Sequence, residues 1–128
     1  MRKAHTVKKF LATLALALGA SLALAGCATA EPVDLSEDTV IIDVRTPAEF
    51  ASGHLEGALN IDVQSPDFAA QIMELDPSGE YFVYCRSGNR SGQAIAQMTQ
   101  MGFDGNNLTN GGGVDEASTL SGVDIVVP

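Results

Sequence analysis

The sequence predicts one α/β domain with a mainly parallel central sheet flanked by helices. Short runs rich in β-branched and aromatic residues alternate with segments of helical apolar spacing, which is the pattern of βα units. A length of 128 residues without internal repeat holds one core.

The elements follow in order. Thr39–Val44 is a continuous apolar run broken only by Asp43, as expected of a strand buried on both faces. Thr46-Pro47-Ala48-Glu49 starts a helix, with Thr46 as N-cap, Pro47 at the first helical position and Glu49 completing a capping box. Ser52-Gly53 ends it. Ala58–Ile61 reads as a second short strand. Ser65-Pro66-Asp67 opens a helix whose apolar face is Phe68, Ile72 and Leu75, and Asp76–Gly79 is a turn. Tyr81–Tyr84 is the clearest strand and runs straight into Cys85. From Ser91 to Met101, the positions of Ala94, Ile95, Met98 and Met101 have helical period, and Gly102 stops the helix. A weak strand over Asn107–Thr109 precedes Asn110 and the glycines at 111–113. Those glycines read first as a tight turn, and second as a close approach to the cysteine loop. Val123–Val127 is a last extended piece.

Residues 1–26 stand apart. Arg2, Lys3, Lys8 and Lys9 precede an uncharged, Leu/Ala-rich run from Phe10 to Ala25. A transmembrane helix needs about 20 such residues, so the run fits a secretory signal peptide better. It ends in Leu24-Ala25-Gly26-Cys27, which resembles the lipobox of bacterial lipoproteins. That resemblance implies cleavage before Cys27, a lipid on its sulfur, and attachment to the outer face of a bacterial membrane in the cell envelope. Residues 27–36 then read as a lipid-anchored tether, and 37–128 as the folded domain.

Composition excludes several functions. All 16 acids follow residue 26 but only three cations do, Arg45, Arg86 and Arg90, for a net charge of −13. Nucleic-acid binding needs clustered cations and is excluded. Two cysteines cannot make a multi-cysteine metal site, no His/Cys/Asp cluster has ligand spacing, and no glycine-rich phosphate motif is present; no metal or cofactor is expected.

The chemistry is expected around Cys85, the one free thiol left in an oxidising compartment. The segment Cys85-Arg86-Ser87-Gly88-Asn89-Arg90-Ser91 joins a strand to a helix, at the carboxyl end of a strand where ligands of parallel sheets bind. Backbone N–H groups and the positive helix end converge there, which favours thiolate. Gly88 lets the backbone curl. The three cations lie at strand carboxyl ends, a local anion site on an acidic background.

Three stretches then resemble the rhodanese family: Ile41–Phe50, Gly53–Ile61 and Cys85–Ser91, in that order and spacing. The resemblance spans 33–128 and implies a single-domain rhodanese-like sulfurtransferase. It makes Cys85 the catalytic nucleophile, which takes sulfane sulfur from a donor such as thiosulfate and passes it to cyanide or a thiol. It assigns Arg86, Ser87, Gly88, Asn89 and Arg90 to substrate binding, while Asp43 and Arg45 read from the residues themselves as structural support near the site. Asp43 is expected to bond the backbone, Arg45 to pair with Glu49, and His54 to be structural. Related phosphatases place five residues between Cys and Arg; here there are four, which disfavours that chemistry. Two positions depart from the family. Glu56 replaces the usual proline, and Val114-Asp115-Glu116 stands where an aromatic residue commonly follows the glycines.

With no resolving cysteine, the sulfur acceptor must be external, and a monomer is expected. Two competing classes are a non-catalytic module that binds or presents sulfur to an envelope protein, and a thiol-redox site serving a partner oxidoreductase.

Overall fold

The computed structural model describes residues 31–128. The expectations for the signal segment and for Cys27 fall outside these residues. The observed order is β1 (Val40–Asp43), α1 (Pro47–Ala51), β2 (His54–Leu55), β3 (Leu59–Asn60), α2 (Phe68–Ile72), β4 (Tyr81–Tyr84), α3 (Asn89–Gln100), β5 (Leu108–Gly112), α4 (Val114–Ser121) and β6 (Ile125–Val126).

Strands β3-β1-β4-β5 form a sheet in which every pairing is parallel. Successive side chains of a strand point to opposite faces, and burial of both faces explains why β1, Asp43 apart, and β4 read as continuous apolar runs. Ile42, Val44, Tyr81, Val83 and Cys85 face a core completed by Phe68 and Ile72 of α2 and Ala94 and Met98 of α3. Ile41, Phe82 and Tyr84 face the opposite core, with Leu55, Ala117 and Leu120. Both faces are covered, so the sheet has no polar side.

The capping box at α1 forms as expected: Thr46 Oγ1 accepts from the Glu49 N–H, and Glu49 accepts from the Thr46 N–H. Three parts differ from the expected map. The glycines do not make a tight turn: Gly111 and Gly112 lie inside β5. A Cβ at Gly111 would stand 2.6 Å from the Phe82 ring, so the strand approaches its neighbour only because that side chain is missing. Helix α4 lacks a side-chain N-cap bond and buries only Ala117 and Leu120, which gave it no periodic signature. Strand β2 pairs antiparallel with β6 in a ribbon of two residues each. The Glu56 N–H extends that ribbon, donating to the Asp124 carbonyl at 2.9 Å. Proline could not make this bond, which gives the departure at Glu56 a local purpose.

The chain joins the domain earlier than the expected end of the tether. The Val33 N–H donates to the Leu120 carbonyl at 2.8 Å, and Val33 and Leu35 lie against the second core.

Candidate active site

Strand β4 ends at Tyr84 in the middle of the sheet, and Cys85 begins the loop to α3. The Cys85 N–H donates to the Gly112 carbonyl at 2.9 Å, which holds the loop to the end of β5. The chain then turns through Gly88, whose φ of +87° is the left-handed conformation glycine adopts without strain. That turn brings the Gly88 N–H back onto Cys85 Sγ at 3.0 Å. Ser91 Oγ lies 3.5 Å from the same sulfur. Burial raises the Cys85 pKa, but the Ser91 hydroxyl and the N–H groups of Ser91, Ser87 and Gly88 together bring it below the ordinary thiol range. Cys85 and Ser91 are both fully buried.

The loop fits closely against the glycines at the end of β5. A Cβ at Gly113 would stand 2.6 Å from the Arg86 carbonyl oxygen, and one at Gly88 would stand 3.3 Å from Gly112 Cα. The close approach read as their second role is therefore what the structure assigns to Gly112 and Gly113. An open cavity of about 450 Å³ lies beside the loop, lined by Arg86, Ser87, Gly113, Val114, Asp115 and Glu116. The acids that replace the family's aromatic thus form one wall, facing Arg86 and Ser87.

The cations are arranged differently from expectation. Arg45 does not pair with Glu49. Its guanidinium lies on Asp43 and donates to the Gly53 carbonyl at 2.7 Å, while Asp43 also accepts the Arg45 backbone N–H at 2.9 Å. Asp43 is fully buried and Arg45 nearly so, and the guanidinium lies 5.7 Å from the Tyr84 ring centre. The pair braces the end of β1 from behind the site. Glu49 is left for Arg90, which grips it through both terminal nitrogens at 2.8 Å. That grip, with the Thr46 bonds, draws the Glu49 pKa down to about 2 against the opposing effect of burial. Arg90 therefore ties α3 to α1. Arg86, Ser87 and Asn89 are exposed, and among the described residues Arg86 is the one cation without a salt bridge.

His54 stacks on Phe50 with ring centres 3.6 Å apart, and its Nδ1 meets the Phe50 carbonyl at 2.9 Å, a structural setting. Among the described residues, no group of three or more His, Cys, Asp or Glu side chains is placed to hold a metal ion. Reading the sequence missed Asn110. Its side chain accepts from Ser91 Oγ at 2.7 Å and donates to the Gly88 carbonyl at 3.0 Å. Only its place before the glycines hinted at this.

A parallel α/β sheet that presents a buried, thiolate-favouring cysteine in a loop opening a helix defines a class of cysteine-loop domain. Residues 30–116 match the Rhodanese-like domain family, and the chain belongs to that family. It is 37% identical over 93 residues to a sulfurtransferase of Allochromatium vinosum, covering 73% of this chain and 83% of the relative. It is 32% identical over 75 residues to the thiosulfate sulfurtransferase PspE of Escherichia coli, covering 59% of this chain and 70% of that protein. Among solved structures, a rhodanese with anions from E. coli superposes with a TM-score of 0.57 at 28% identity, covering 70% of this chain and 99% of that one.

Proposed function

We propose that the protein is a rhodanese-type sulfurtransferase working through a persulfide on Cys85. One observation carries the reading: Cys85 Sγ lies directly after the central strand with the Gly88 N–H aimed at it from 3.0 Å, in a loop that lowers the thiol pKa. The relatives named as sulfurtransferases support it.

In the first half-reaction the Cys85 thiolate attacks the outer sulfur of thiosulfate. A new S–S bond forms, the old one breaks, and its electron pair leaves with sulfite. The terminal sulfur of the resulting persulfide is then attacked by cyanide or an external thiol. The product takes that sulfur, and Cys85 is returned as thiolate. Backbone N–H groups of residues 86–90 stabilise the anionic sulfur at each stage. Arg86 and the exposed Ser87 and Asn89 meet the donor. Arg90, held by Glu49, keeps the loop curled and adds its positive field.

The leader is read in the same way: export, cleavage before Cys27, and a lipid on Cys27 that anchors a monomeric domain to the outer face of a bacterial membrane. Incorporation of labelled fatty acid into the wild type but not Cys27→Ala tests the anchor. For the activity, thiosulfate is added first and the intact mass measured; cyanide follows and thiocyanate is assayed. Formation of thiocyanate supports the reading. A protein that neither gains sulfur nor forms thiocyanate overturns the thiosulfate assignment.

A further inference from the structure

Ser91 has one hydroxyl proton and two neighbours that could take it. Asn110 Oδ1 is 2.7 Å away and Cys85 Sγ is 3.5 Å away. The shorter contact is a well-formed O–H···O bond. Although Asn110 is exposed, its amide is oriented by two backbone groups. Its Oδ1 accepts from the Gly112 N–H at 3.0 Å, and its Nδ2 donates to the Gly88 carbonyl at 3.0 Å. Flipping the amide would set donor against donor and acceptor against acceptor. Asn110 therefore offers Ser91 only an acceptor, and the Ser91 proton lies on the Asn110 side. Toward the sulfur, the buried hydroxyl shows lone pairs.

We propose that Asn110 is a positioning residue for the sulfur chemistry: it holds the single Ser91 proton away from Cys85 and so keeps part of the resting sulfur as thiol. The inference rests on Cys85 being the reacting group. In the resting state the chain of donors runs from the Cys85 S–H to Ser91 Oγ and from the Ser91 O–H to Asn110 Oδ1. A bond that accepts from the thiol favours the neutral form, so the lowering of the Cys85 pKa by the Ser91 hydroxyl belongs to the state in which it donates to the sulfur. When the sulfur loses its proton, the Ser91 hydroxyl turns to donate to the anion. Asn110, itself exposed, then keeps the Gly112 N–H on its Oδ1, so that oxygen is still paired after the turn. The exchange moves one proton's direction and breaks no covalent bond. It gives the loop two states, one suited to the thiol and one to the thiolate or persulfide anion.

Apart from the charge that Asn110→Asp adds, the charged groups around the sulfur stay constant through the test. They are Arg90 on α3, paired with Glu49 on α1 and within reach of Asp62, Arg86 on the loop, and Asp115 and Glu116 of α4 at the neighbouring cavity. The full chain is alkylated with iodoacetamide across a pH series, and the peptide carrying Cys85 is quantified by mass spectrometry, which separates it from Cys27. In Asn110→Ala the competing acceptor is gone and Ser91 is free to donate to sulfur. The midpoint of alkylation falls by about half to one pH unit, which is about three- to tenfold faster reaction well below the midpoint. In a Ser91→Ala background the same substitution produces no such fall. Asn110→Asp keeps the acceptor and adds negative charge, so its midpoint rises. A residue that merely propped up the loop would move the Asn110→Ala midpoint upward or not at all. Either result overturns the proposal, as does an equal fall in the Ser91→Ala background or a fall in Asn110→Asp. Alkylation reads ionisation rather than turnover, so failure to form thiocyanate would count against sulfur transfer and not against this arrangement.

Discussion

Gly88→Ala tests how the loop makes its sulfur reactive. Two penalties follow from the structure. A φ of +87° places alanine in the left-handed region, at a cost of about 1–2 kcal/mol. The new Cβ also stands 3.3 Å from Gly112 Cα, a backbone atom held by the bond from Gly112 to Asn110, so it can yield little. Together these predict a loss of about 2 kcal/mol and a fall in Tm of about 10 °C for a domain of this size. The chemical effect is separate. Relieving the contact moves the loop off β5 and draws the Gly88 N–H away from Sγ. A hydrogen bond to a charged group is worth about 1.5–3 kcal/mol, so the thiol pKa rises by about one to two units. Thermal melts give the first quantity, and the pH dependence of Cys85 alkylation gives the second. A variant that loses the expected stability but ionises like the wild type would refute the assignment of the Gly88 N–H as a thiolate donor.

Further outcomes follow from the charge arrangement. Because the Glu49 pKa falls from 4.5 to about 2 on folding, its contribution to stability is complete above the unfolded value and is lost as pH drops from about 4.5 through about 2. Its pair with Arg90 is partly exposed, so Glu49→Gln costs about 1 kcal/mol at pH 7 and loses less stability on acidification than the wild type, as urea melts at pH 7 and pH 3 will show. Arg86→Ala raises the KM for thiosulfate severalfold and leaves the thermal melt unchanged, since Arg86 is exposed and makes no salt bridge. Its KM measured beside the wild type checks this. Raising ionic strength speeds thiosulfate turnover at low donor concentration, because salt screens the 16 acids that repel a dianion. A rate that falls steeply with salt would contradict that ordering of forces.

Much of this could be read from residue order, because the site is built from contiguous chain. The Tyr81–Tyr84 run, the cysteine at its end and Gly88 lie in one stretch, and local rules were enough to join them. The α1 capping box was equally local. What escaped was set by contacts between distant segments. The choice of Glu49 for Arg90 rather than Arg45 depends on α3 and α1 meeting across the sheet end; the Asp43–Arg45 pair, only two residues apart, was missed although it is local. Asn110 gains its role from loop 85–91 folding over β5. Helix α4 had no clear stripe because only Ala117 and Leu120 are buried, with Val114 packed partly against the core, and β5 was obscured by glycines whose missing side chains make room for Phe82.

The measurement that bears most directly on the account is the intact mass of the protein after thiosulfate, taken for wild type and Cys85→Ser before cyanide is added. The wild type alone gains one sulfur, which is lost again as thiocyanate forms. Sulfur carried equally by Cys85→Ser, or thiocyanate formed by it at the wild-type rate, would contradict the assignment of Cys85 as the sulfur carrier.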